Sequence, residues 1–205
     1  LEKTGMAGCA IKSHFADTAG RAAVLRSLFP KLDIVGGITL NRSVGGINPQ
    51  AAERTAQMGG KMLWFPTLEA RSYQQYRHSN DGMDVSQFLS VFSDDGNLLP
   101  EVYQVLEIAA EYNMVVGTGH LSSREGLAVV RAARECGVEH VVLTHADNPA
   151  NEYSLEEQYQ AVQEGAMVEH CYFTSYYQRT PIEVIAQQIQ HVGCKSVVLS
   201  TDFGQ

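Results

Sequence analysis

Seven short apolar runs, each leading through a turn into a helical pattern, predict an α/β chain of the (β/α)8 TIM-type barrel class. The runs are Cys9–His14, Asp33–Ile38, Lys61–Phe65, Met114–Thr118, His140–His145, Met167–Cys171 and Ser196–Thr201. They are nearly continuously apolar rather than alternating, as parallel strands covered on both faces should be. Their starts lie about 25–30 residues apart, one strand–helix unit each. No GxGxxG or GxxxxGK(S/T) follows any strand, which disfavours an open nucleotide-binding sheet.

The helices between the runs carry their own start and stop signals. Asn48-Pro49 supplies a cap and a first-turn proline for a helix over Ala51–Met58. Ser122 with Glu125, and Ser154 with Glu157, have capping-box spacing. Thr180-Pro181-Ile182-Glu183 reads as a third such start, and Gly59, Gly60, Gly137, Gly165 and Gly193 read as stops. The step from Lys61 to Met114 is about twice the usual length, so 66–99 is an insertion over the carboxyl face, with a small hairpin at Ser90–Leu98. Such a loop suits a lid or substrate wall. Gly36-Gly37 and Gly45-Gly46 read as flexible loop glycines.

Residues 1–205 are therefore expected to form a single barrel domain that lacks its first strand and last helix. Leu1–Gly5 resembles a helix end, and only three residues follow Asp202. A barrel short of one stave leaves strand edges unpaired, so the expectation is a piece of a longer polypeptide.

At 205 residues, 44% hydrophobic and 19% charged, the composition excludes disorder. No apolar run approaches the ~18 residues of a membrane span. A net charge of −8 without a basic cluster argues against nucleic acid. Cys9, Cys136, Cys171 and Cys194 lie far apart with no CxxC, the pattern of reduced, mostly buried thiols in a cytoplasmic protein. A small-molecule substrate is the expected partner, with a homo-oligomer also allowed.

Barrel chemistry gathers where strands end. Four of the seven histidines, His14, His120, His145 and His170, close strands here. His120 and His145 end consecutive strands and Asp202 ends the last, a donor set suited to Zn²⁺ or a similar divalent ion. Lys12 shares parity with His14, and a lysine directed into a barrel mouth must be paired, carbamylated or used. Glu169 and His170 have opposite parity, and Glu169 is taken as the inward one. Arg71 in the insertion is a candidate for reading a substrate carboxylate or phosphate. His78, His140 and His191 are read as non-functional.

The segments GTGHLS and VVLTHAD and the ending VVLSTDFGQ resemble the amidohydrolase superfamily of metal-dependent hydrolases. The resemblance implies that His120, His145 and Asp202 bind a divalent metal, with one or two zinc ions expected, and that Asp202 is also the general base. It implies hydrolysis of a small-molecule amide, ester or related bond. The alternatives are a metal-dependent decarboxylase of the same superfamily and a non-catalytic ligand-binding barrel. Two features depart from the pattern. No HxH pair occurs, and the strand ending Trp64-Phe65-Pro66 offers no lysine or glutamate. Lys12, beside His14 in a KSH segment similar to that of an uncharacterised branch, is the candidate for the bridging role.

Overall fold

The computed structural model describes residues 3, 5–151, 153–177 and 179–202. In chain order it runs β1 (Gly8–Ala10), α1 (Ala19–Leu28), β2 (Asp33–Val35), β3 (Gly37–Thr39), α2 (Pro49–Gln57), β4 (Met62–Trp64), α3 (Arg71–Arg77) and α4 (Pro100–Glu111). There follow β5 (Val115–Gly117), α5 (Ser123–Glu135), β6 (His140–Leu143), α6 (Leu155–Gln163), β7 (Met167–Cys171), α7 (Tyr172–Tyr176), α8 (Ile182–Val192) and β8 (Val197–Ser200).

Every pairing between these strands is parallel, and their spatial order follows the sequence. Six strands, β3 to β8, form one sheet, and β1 pairs with β2 in a second. The seven expected runs thus appear as eight strands, because Asp33–Thr39 changes partner in its middle. Glycine is required there. A Cβ on Gly36 would meet the Thr18 carbonyl oxygen at 2.4 Å, and one on Gly37 would meet the Met62 carbonyl oxygen at 2.1 Å. Close backbone approach, rather than loop flexibility, explains this pair. The Thr18 side chain fills the switch, accepting from Gly37 N at 2.9 Å and donating to the Ile11 carbonyl at 2.7 Å.

Among the described residues β1 and β8 are edge strands, and no pairing joins them. The architecture is therefore an α/β fold on parallel strands in sequential order. The helix-end of Leu1–Gly5 and the residues after Asp202 fall largely outside the described residues.

The main core lies between the six-stranded sheet and the layer of helices that follow its strands. Leu63, Val116, Leu143 and Val168 come from β4 to β7, Ala52 and Ala56 from α2, Val102, Val105 and Leu106 from α4, and Val129, Val130 and Ala133 from α5. A smaller cluster of Ala22, Leu32 and Ile34 sits beneath β1 and β2. Asn48 caps α2 with Pro49 behind it, and both capping boxes form, at Ser122 and Ser154. The start of α8 differs from expectation: Pro181 is its cap residue, and the Thr180 hydroxyl instead donates to the Asp147 carbonyl at 2.6 Å. Within 66–99 lies α3, a helix the pattern did not predict, and the Ser90–Leu98 hairpin reduces to a single antiparallel bridge, Phe92 with Leu98. Of the four thiols, all free, only Cys171 is buried. No helix among the described residues is long and apolar enough to cross a membrane.

Candidate functional site

The carboxyl ends of the strands bring a polar cluster together in an otherwise apolar fold. At the end of β6 the chain turns through His145, a non-glycine residue at φ 50. Asp202, just beyond β8, does the same at φ 52. Left-handed backbone disfavours ordinary side chains and persists where its surroundings hold it, often at functional sites. The His145 imidazole is almost wholly buried. Its Nδ1 lies 2.8 Å from Cys171 Sγ and 3.3 Å from Glu169 Oε2. Its Nε2 faces Asp202 Oδ2 at 3.5 Å and has no hydrogen-bond partner. Alternation along β7 places Glu169 and Cys171 on this face. His170 is sent to the other side, where its Nδ1 lies 3.4 Å from the buried Asp147. The Ser200 hydroxyl closes the row, 2.9 Å from Cys171 Sγ.

His120 arrives from β5 through a glycine. Gly119 has φ +65, and a Cβ there would lie 2.3 Å from the Phe65 carbonyl oxygen. Only glycine lets the β5 turn pass so close to the end of β4. The His120 ring then sits 5.4 Å from His145 and 4.7 Å from Tyr73, centroid to centroid. Tyr73 belongs to α3, and Ser72 of the same helix donates to the His120 carbonyl at 3.2 Å. The insertion therefore buttresses a site residue. His120 Nδ1 is buried without a partner.

His14 completes the wall. Its ring is 6.0 Å from that of His120, and its Nδ1 lies 2.7 Å from the Thr67 hydroxyl. Asn41 holds this corner, with Nδ2 donating to Thr67 Oγ1 at 2.8 Å and to the His14 carbonyl at 3.0 Å, while its Oδ1 accepts from Thr67 N at 2.9 Å. Lys12 reaches in from the same strand end, its Nζ 5.6 Å from the Trp64 ring centroid.

Electrostatics favour neutral His14 and His120 and a charged Glu169. Burial, reinforced by the Lys12 charge, lowers His14 to about 4. Burial, with the charges of Lys12, His145 and His14, pushes His120 well below the ordinary histidine range. Burial alone would raise the Glu169 carboxyl, but the hydrogen bond and charge of His145, the Ser200 hydroxyl and Lys12 outweigh it and hold it at about 2. The Cys171 thiol is pushed up, first by burial and then by the Glu169 charge.

A metal ion fits these residues. Donor atoms of His145, Glu169 and Cys171 all lie within 4.8 Å of one another. That nitrogen, oxygen and sulfur set suits a borderline-soft divalent ion. His145 Nε2, which faces Asp202, and His120 Nδ1 are also buried without hydrogen-bond partners.

Of the residues singled out from sequence, the mouth gathers Lys12, His14, His120, His145, Glu169 and Asp202. Arg71 is not among them. It lines a separate cleft of about 650 Å³ with Ser72, Arg124 and Glu125, and its Nε donates to the Phe88 carbonyl at 3.3 Å. Sequence reasoning missed Cys171 as a donor, although its parity with Glu169 was visible. It also missed Asn41 and Thr67, which no spacing rule marks.

Parallel strands in sequential order, with polar groups at their carboxyl ends, define an α/β protein resembling TIM-barrel enzymes. Residues 1–169 match the family of unknown function DUF6282, and the chain belongs to that family. No curated protein matches the sequence. Among solved structures, an amidohydrolase from Pseudomonas aeruginosa superposes with a TM-score of 0.60 at 15% identity, covering 100% of this chain and 59% of that one. A 2,3-dimethylmalate lyase of the PEP mutase/isocitrate lyase superfamily gives 0.57 at 11% identity, covering 98% and 70%. An N-acetyl-D-glucosamine-6-phosphate deacetylase from Mycobacterium smegmatis gives 0.50 at 13%, covering 91% and 44%. The chain thus spans little more than half of that amidohydrolase, and at these identities the likeness is one of fold.

Proposed function

We propose that this chain is a barrel domain of a metal-dependent hydrolase of the amidohydrolase type, acting on a small-molecule amide, ester or related bond. One observation carries the reading: His145 stands between two carboxylates, Glu169 at 3.3 Å from Nδ1 and Asp202 at 3.5 Å from Nε2, with His120 beside it. His145, Glu169 and Cys171 would hold a divalent ion, Zn²⁺ by donor type, with Asp202 facing Nε2 and His120 beside the His145 ring as further donors. When bound, such an ion polarises the scissile carbonyl and acidifies water.

The chain's own groups supply the rest. Asp202, on the rim and part-buried, accepts the proton of the attacking water and passes it to the leaving group. The Asn41–Thr67–His14 corner fixes one imidazole on the substrate side. The helix α3 shields His120 from solvent through Tyr73.

Metal analysis of the purified protein tests the proposal, together with hydrolysis of amide and ester panels. About one equivalent of divalent ion per chain is expected, lost in His145→Ala and much reduced in Glu169→Gln. Asp202→Asn should keep the ion and lose turnover by roughly 10²–10⁴-fold. Metal content unchanged in His145→Ala, or absent after loading, overturns the proposal. Release of carbon dioxide without incorporation of water would replace hydrolysis by decarboxylation.

A further inference from the structure

Lys12 brings a cation into the strand mouth, and among the described residues no hydrogen bond answers it. Its Nζ is buried and makes no hydrogen bond. Nζ lies over the Trp64 ring, 5.6 Å from its centroid, which attracts a cation but accepts no hydrogen bond from it at that range. His14 and His120, which the Lys12 charge helps to keep neutral, offer no negative charge. The Glu169 carboxylate senses Lys12, yet it is already engaged by the Nδ1 and the backbone N–H of His145, each 3.3 Å away. Leaving an ammonium buried and unmatched is among the most unfavourable arrangements a protein interior can hold. A site with a role for that charge is the simplest physical account.

We propose that Lys12 Nζ anchors a carboxylate of the substrate, so that the molecule acted on is an organic anion. The inference rests on the strand mouth being the reaction site, as argued above. A carboxylate oxygen at ~2.8 Å from Nζ would supply the missing charge-assisted hydrogen bond. The Trp64 ring would then pack against the carbon skeleton. A single point charge without an arginine fork suits one carboxylate group better than a phosphate. The rest of the substrate would extend from this anchor past His14 and His120 towards His145 and Asp202. An unmodified Lys12 in this role excludes the carbamylated, metal-bridging form.

Trp64 is the only tryptophan of the chain, so its fluorescence reports directly on the Lys12 head group. The full chain is titrated with malonate and with neutral malonamide, before and after treatment with a chelator. Malonate should give a saturable change that survives chelation, and malonamide none. Lys12→Met should weaken malonate binding by at least about tenfold, and its thermal midpoint should equal or exceed that of the native chain because an unmatched interior charge has been removed. Equal responses to the diamide and the dicarboxylate overturn the proposal, as does a carboxylated Lys12 in the intact mass. Malonate binding that vanishes on chelation would place the carboxylate on the ion, removing the role of Lys12 while the metal reading stands. Binding that depends on Lys12 in a chain that takes up no metal would do the reverse.

Discussion

His145 shows how much a single position is asked to do. Its ring spans Glu169, Cys171 and Asp202, and its backbone is held left-handed to make that reach. Gly119 performs the equivalent service for His120 by having no side chain. Gly119→Ala should destabilise the protein by about 2–4 kcal/mol, because the new methyl meets two carbonyl oxygens within 2.5 Å. Urea unfolding measures the loss, and metal content should fall with it. The titrating groups set a pH profile for the metal-free protein. His14 binds its proton near 6.5 when unfolded and near 4 when folded, so the unfolded chain takes up protons first. Stability should therefore fall as pH drops from about 6.5 to about 4. Glu169 adds a second loss between 4.5 and about 2. Thermal melts across this range check both, and His14→Gln should reduce the upper arm, to which the lowered His120 also contributes, while leaving the lower one.

At the level of elements, the helix ends carry much of the stability. Glu125 closes the α5 capping box with Ser122 and also accepts from Ser90 at 2.8 Å, tying the insertion to the helix. Glu125→Ala should cost about 2 kcal/mol in urea unfolding at unchanged slope. Arg134 spans the far ends of α5 and α6, donating to the Val138 and Glu139 carbonyls at 2.8 and 3.0 Å and to the Glu164 carbonyl at 3.0 Å. Arg134→Met should loosen both helix ends, by roughly 1–3 kcal/mol. The elements most legible in the sequence share a trait: their own residues decide them. Continuous apolar runs marked every strand, and serine–glutamate pairs marked two helix starts. The split of Asp33–Thr39 was hidden, because a change of partner depends on Thr18 rather than on the strand. The helix α3 was hidden as well, since its uncapped start at Ala70 and its RSYQQYR sequence show no apolar period. Within the site, alternation placed Glu169 and His170 on opposite faces. It could not reveal that Cys171 joins Glu169 at His145, since a buried thiol reads the same from sequence whether it packs or binds.

Across the whole molecule, the strands divide unequally. From β4 to β7 they share the large core, whereas β1 and β2 rest on a cluster of only three buried residues, Ala22, Leu32 and Ile34. Val24, Leu28 and Phe29 of the α1 region are exposed, adding little burial. Native-state hydrogen exchange should therefore show residues 8–35 opening at lower free energy than β4–β7. Uniform protection across both regions would contradict this division. The uneven foundation has a bearing on how the protein fails. Lys12 and His14 ride on the weaker strand, while His145, Glu169 and Cys171 ride on the stronger ones. On gentle warming, the proposed anchor for an organic anion should loosen before the proposed metal donors do.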